Sequence, residues 1–303
     1  MLWLLLALLA YFFGAITHLL DKYLVKKTFP NPWILTFYVS LLGGIAILTI
    51  PFLGIKNFHY NGFANLVFDL SAGLIYTTAF LLFFICLKKE EVSRVAPFVG
   101  GLTALFIFAL SAPLLGERLT QQQLISFIFI IAGSLLLSLE NKKSGFLPSS
   151  IFILAIFCSL FFGLGHIMSK MSYLSRGFIN GFVWIRLGTL LGAIILLLSP
   201  HIRKNIAKDI KQPKEKGAKT LLLLGGQACG ALNFLLFNLA FLIGPIALVN
   251  GLQGLQYGLL FLLVWLISLK FPAIIKERFT KKIVTQKIVS IILIAIGVGI
   301  LAI

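Results

Sequence analysis

Acidic residues are scarce in this chain. Nine Asp and Glu stand against 26 Lys and Arg, for a formal net charge of +17. So few carboxylates leave little material for a paired-acid active site or an oxygen cage around a hard cation. Cysteine is scarcer still. Cys86, Cys158 and Cys229 lie singly inside apolar runs, with no Cys-x-x-Cys and no histidine at ligand spacing. That excludes a disulfide framework, offers no zinc signature, and reads the three as small buried hydrophobes. No Gly-x-x-x-x-Gly-Lys-Ser/Thr loop occurs, so the chain carries no nucleotide site of that kind to drive work. The sequence asks for no cofactor and no metal.

Apolar residues are what it has. They make up 59% of the chain, charged residues only 12%, and mean hydropathy is +1.04. A soluble globule is nearer half apolar and a quarter charged, so a polytopic membrane protein is the class that fits. Basic residues flank the apolar runs rather than forming a surface patch. They therefore serve orientation in a bilayer and not nucleic-acid binding.

About 20 apolar residues cross the hydrocarbon as a helix. Ten runs qualify: Leu2–Val25, Pro32–Phe52, Leu66–Leu87, Val92–Leu115, Gln121–Leu139, Ser149–Leu174, Phe178–Ser199, Thr220–Ile243, Ile246–Leu269 and Ile283–Ile303. They are too long and continuous for barrel strands. The first lacks a basic leader and runs past Gly14 into His18, Asp21 and Lys22, so it reads as a retained helix, not a signal peptide.

The sides of the membrane differ in charge. On the side of the N-terminus lie Lys56, Arg118, Lys170 and Arg176. The other side takes nearly all remaining Lys and Arg, including Lys88, Lys89, Arg94 and the basic loop 200–219. The positive-inside rule puts that second side in the cytoplasm and both termini outside. In the basic loop, Ile202, Ile206 and Ile210 recur every fourth residue among Lys and Arg. Two readings fit: a short helix on an anionic leaflet, or a solvated loop.

The chain repeats itself. "FFGAITHLLDK" (Phe12 to Lys22) parallels "LFFGLGHIMSK" (Leu160 to Lys170), each ending in His-x-x-x-Lys. Pro51 follows His18 by 33 positions, and Pro200 follows His166 by 34. "LLGERLT" (Leu114 to Thr120) and "IIKERFT" (Ile274 to Thr280) then precede a last helix carrying Gly133 or Gly297. The expected organisation is a five-helix repeat over 1–140, a linker over 141–148, and a second five-helix repeat over 149–303. An odd helix count turns the second repeat upside down, and inverted repeats place a substrate site between them near the midplane. The Glu-Arg-x-Thr junction itself reads as structural. Gly116 ends a helix, Thr120 with Gln123 caps the next, and Glu117 and Arg118 satisfy each other.

The stretch "EVSRVAPFVGGLTALFIFALSAPLLGERLTQQQLISFIFIIAGSLLL" (Glu91 to Leu137) resembles the end of an EamA domain of the drug/metabolite transporter superfamily. The region from Pro245 to Gly299 resembles it more weakly, with Lys276 in place of Gly116. The resemblance implies a ten-helix carrier of small organic solutes, often outward. It also implies cytoplasmic termini, against the charge count.

Polar groups inside the spans are the candidate site, because each is costly there. Arg186 lies about 12 Å from the nearer end of its helix by helical rise, too deep for easy snorkelling. It reads as an anion-binding or gating residue, or as a structural arginine. His18 and His166 stand one turn from Lys22 and Lys170 and are candidates for proton coupling, with plain interfacial histidines as the alternative. The lysines read as snorkelling. Asn250, Gln253 and Tyr257 share one face of the ninth helix, and Gln227 and Asn238 one stripe of the eighth; they line a cavity or bond between helices. Tyr76, Thr77 and Trp184 complete the candidates. Gly226 with Gly230 reads as close helix packing.

The expectation is an all-α membrane protein of the cell membrane, with ten transmembrane helices in two inverted five-helix repeats. It works as a secondary transporter, an exporter of a small organic metabolite, by alternating access. Cationic and amide groups with little buried acid suit an anionic or zwitterionic solute. The alternatives are an enzyme on lipid-linked substrates, which wants clustered acids or a metal trio, and a lipid flippase or accessory subunit.

Overall fold

The computed structural model describes residues 2–25, 31–44, 59–60, 62–139, 149–211, 216–270 and 280–302. Among these there is no strand, and twelve helices account for almost the whole. In chain order they are α1 Leu2–Tyr23, α2 Pro32–Gly43, α3 Phe63–Lys89, α4 Val92–Leu115, α5 Gln121–Ser138 and α6 Ser149–Arg176. There follow α7 Phe178–Leu197, α8 Pro200–Lys211, α9 Lys216–Ile243, α10 Ile246–Gly251, α11 Gln253–Lys270 and α12 Lys281–Ala302. Among the described residues nine spans are long and apolar enough to cross a membrane, α10 and α11 counting as one. The chain is an all-α membrane protein. Of the expected second span, α2 accounts for the first part; positions beyond 44 lie outside the described residues, as do the linker 141–148 and the junction Glu277–Arg278.

Local chemistry explains the helix ends. Asn31 accepts a hydrogen bond from the Trp33 N–H at 3.1 Å and Pro32 opens α2, a residue whose missing N–H costs nothing in the first turn. Gly116 ends α4 in the left-handed region at φ 69°. Thr120 and Gln123 form the reciprocal capping box that the sequence suggested.

Three expectations are corrected. Glu117 does not pair with Arg118. It pairs with Lys170 and accepts the Ile246 N–H at 3.0 Å, because the start of α10 presents unsatisfied N–H groups to an acid. Lys22 and Lys170 do not snorkel. They are 2% and 5% exposed and donate to carbonyls, Lys22 to Leu87 (2.6 Å) and Glu90, Lys170 to Gly244 (2.8 Å). Carbonyls at a helix C-terminus lack partners, and an ammonium supplies them. The ninth span is not continuous, since a turn at Leu252 separates α10 from α11.

In the basic loop a helix does form. Ile202 and Ile206 of α8 are buried, while Arg203 and Lys204 are exposed. The isoleucines join the main apolar core as α8 rests against α2 and α7, so they face the protein and not lipid.

The long helices pack chiefly on partners distant in sequence. α1 lies along α9, and α6 along α3. Gly165 of α6 sits against the Tyr76 ring of α3, and Gly230 of α9 sits against Thr17 of α1. α5 and α12 cross in close contact. Gln122 donates to the Ile300 carbonyl and Gln286 to the Leu136 carbonyl, each at 2.8 Å. Lys22 closes the end of α3 and Lys170 that of α9.

Candidate functional site

A cavity of about 600 Å³ lies at the centre of the bundle. Helices α1, α2, α3, α4, α6, α7, α9 and α11 contribute to its wall. Drug-sized ligands occupy pockets of this size. Let end A be the end of the bundle where α1 starts and end B the end where it stops. From the level of Tyr11 and Phe237 the wall reaches Asp21, Phe84, Ala96 and Leu224 near end B. On that side Leu224, Ala228 and Ala231 of α9 are exposed.

Towards end A the bundle is closed. Tyr11 donates to the Val249 carbonyl, and the Tyr173 hydroxyl donates to Asn238 Oδ1 at 2.7 Å. Tyr173 stacks on Phe241 (5.8 Å between centroids), which meets Phe237 edge-on at 5.1 Å. Two ion pairs join the halves beyond these rings, Arg176 with Asp69 and Lys170 with Glu117. α3 and α7 touch at backbone distance. A Cβ on Gly73 would meet the Ile185 carbonyl and the Gly188 backbone, and one on Gly192 would meet Thr77.

Seven of the expected residues line the cavity: Arg186, Gln253, Tyr257, Gln227, Tyr76, His18 and His166. Arg186 extends over the Phe234 ring, with its guanidinium carbon 3.5 Å from the centroid, and lies 5.6 Å from Phe182. His166 packs among Phe237 (4.9 Å) and Tyr76 (5.5 Å), and the Tyr76 hydroxyl meets Ser169 Oγ at 3.2 Å. His18 lies 5.1 Å from the Phe83 ring and 3.9 Å from Asp21. The Nδ1 atoms of both histidines are buried and without a hydrogen-bond partner among the described residues.

Four expected residues sit outside the wall. Asn250 faces His166 but donates to the Ile246 carbonyl at 3.0 Å. The turn at Leu252 puts it on a different helical segment from Gln253, so the shared face assumed for a straight helix is lost. Asn238 is spent on Tyr173 and on the Phe234 carbonyl. Thr77 is buried in the α3–α7 contact, within 3.4 Å of the Thr189 carbonyl. Trp184 reaches the His59 carbonyl at 3.4 Å, at the end A surface.

Other wall residues were not anticipated. Gln256 and Asn233 approach Gly14, where any side chain would collide with both amides. Asn233 donates to the Ala10 carbonyl at 2.6 Å, and Gln256 Oε1 is buried without a partner among the described residues. Asp21, Ser40, Thr17 and Thr103 also face in. Gln256 follows Gln253 by three positions, a spacing that marks one helix face once α11 is taken as its own segment. Among the described residues no group of three or more His, Cys, Asp or Glu converges as a metal site.

The comparisons with known proteins agree with this architecture. The sequence model of the EamA-like transporter family matches residues 1–139. A solved structure described as "Crystal structure of protein" superposes with a TM-score of 0.69 at 17% identity, covering 98% of this chain and 94% of that chain. At that identity the likeness is one of fold. No curated protein matches in sequence.

Proposed function

We propose, from the EamA-like transporter region at residues 1–139 and a largely apolar cavity studded with polar side chains, that the chain is a secondary carrier of small organic solutes. It works by alternating access between two inverted five-helix repeats, 1–140 and 149–303. The observation that carries this reading is unequal packing at two equivalent places. Lys22 bonds Glu90 and Lys170 bonds Gly244, which aligns α3 with α9. Pro51 and Pro200 align α2 with α7. In that alignment Gly73 and Thr77 correspond to Gln227 and Ala231, and Gly188 and Gly192 to Val39 and Gly43. Gly73, Thr77, Gly188 and Gly192 are buried in the tight α3–α7 contact; their counterparts Gln227, Ala231, Val39 and Gly43 line the open cavity. A second state follows by exchanging the two: α2 closes on α9 while α7 parts from α3.

End B is the charge-rich end, so the positive-inside rule turns the open cavity to the cytoplasm of a cell membrane. Loading from within suits an exporter. Exposed Arg203 and Lys204 of α8 then face the anionic inner leaflet. The site comprises Arg186, Gln227, Gln253, Gln256 and Tyr257, with His18 and His166 as proton carriers.

Paired cysteines test the exchange, in a chain whose Cys86, Cys158 and Cys229 are replaced by alanine. One pair is Gly43→Cys with Ala231→Cys, the other Thr77→Cys with Gly192→Cys. Each pair crosslinks in part of the population, and either crosslink stops solute flux in proteoliposomes. If the first pair never crosslinks during turnover, the exchange is wrong. A lipid flippase would instead move labelled lipid in the same vesicles.

A further inference from the structure

The cavity's charges stand at different levels. Arg186 carries a guanidinium with five N–H donors. Among the described residues no carboxylate lies within ion-pair distance of it and no acceptor takes up its donors. Its guanidinium lies over the faces of Phe234 and Phe182, with Nη1 beside Gly43. Acids elsewhere are engaged: Glu117 by Lys170, Asp69 by Arg176, Glu90 by Arg94. A lone cation at membrane depth is costly, and a bound anion relieves that cost.

Asp21 is the one acid in the wall among the described residues. It lies beside His18, whose ring is 5.1 Å from Phe83. Phe83 is seven residues along α3 from Tyr76, about 10 Å of helical rise. Tyr76 is 5.7 Å from Phe234, on which Arg186 stacks. Guanidinium and carboxylate are thus separated by roughly the depth of the cavity. Between them the wall is aromatic. Phe162 meets Phe80 and Phe83 edge-on at 5.3 and 6.3 Å.

We infer that the substrate is an organic anion with a flat apolar body, its acidic group on Arg186 and its body among Phe80, Phe83 and Phe162. An α-amino acid fits less well. It places an ammonium one carbon from its carboxylate, beside Arg186 and far from Asp21. The inference rests on the carrier reading for the cavity being the substrate site.

Four probes with one phenylpropyl body test it: 3-phenylpropionate, its neutral amide, phenylalanine, and 3-phenylpropylamine. Calorimetry on the detergent-purified full chain measures binding, and proteoliposomes measure flux. Expected is binding of 3-phenylpropionate at least tenfold tighter than of the other three. Arg186→Gln loses at least tenfold for that anion alone, and Arg186→Lys restores part of it. Equal affinity across the series, preference for phenylalanine or the amine, or no binding of any probe overturns the inference. So does full affinity in Arg186→Gln. If that variant does not fold, the wild-type series decides alone. Anion binding without flux removes the carrier reading and leaves the inference; preferred flux of the amine does the reverse.

Discussion

Gly133 and Gly297 occupy interchanged places in one contact. Gly133 packs on the Ser290 carbonyl and Ile294, and Gly297 on the Ser126 carbonyl and Ile130. Neither site has room for a Cβ, because backbone oxygen lies in the way and cannot rotate aside. Small residues at such crossings let membrane helices approach by van der Waals contact. Gly133→Leu and Gly297→Leu therefore each destabilise by about 1 to 3 kcal/mol, the usual cost of overpacking. Gly299→Leu, with nothing within 4 Å, is the neutral control. Thermal unfolding in detergent compares the three, and the first two midpoints fall by similar amounts.

Glu117 holds the end A closure through Lys170 and the Ile246 N–H. Removing one partner of a largely buried pair strands the other. Glu117→Ala costs on the order of 2 kcal/mol, and Glu117→Gln less, because the amide oxygen still accepts from Ile246. The order of midpoints, wild type above Gln above Ala, checks this. Equal midpoints would show the pair to be ornamental.

Gly73 lets α3 meet α7. Gly73→Leu forces them apart and disfavours the state closed at end A. The expected readouts are loss of the Thr77–Gly192 crosslink and at least tenfold slower flux. Gly225→Leu, which faces open space, changes neither.

Arg186→Ala and Gln253→Ala each reduce solute flux while the protein still inserts and elutes normally on gel filtration. Both side chains face the cavity and neither bonds another described residue. Unchanged flux in both variants would move the site elsewhere.

A reporter fused after Ile303 that folds only outside the cytoplasm becomes active if the charge bias sets orientation. Activity from a cytoplasm-specific reporter instead turns the bundle over and reverses the direction of transport.

Span positions were readable in advance because lipid leaves no choice. A long apolar run must satisfy its backbone internally, so the runs Val92–Leu115 and Ser149–Leu174 are visible as helices, the second continuing to Arg176 in the structure. The cap at Thr120 and Gln123 was readable for the same local reason. Contacts between distant segments were not. Nothing in "HLLDK" tells a lysine that snorkels from one that caps the end of α3. Asn250 is misplaced by a straight-helix reading because Gly251, which with Asn250 forms an Asn-Gly turn signal just before Leu252, also fits a stripe of small residues for helix packing. Arg186 was found by the cost of its depth, which sequence does reveal. Gln256 was missed because its neighbour Gln253 fitted a straight helix.

α1 lodges along α9, and α6 along α3, so the leading helix of each half is embedded in the body of the other. In the two-repeat reading proposed above, this is the topology of a swapped pair. Severed between the repeats, neither fragment shelters its own first helix. Recovery of shape would require the pieces to find one another in the bilayer, and assembly becomes a matter of stoichiometry.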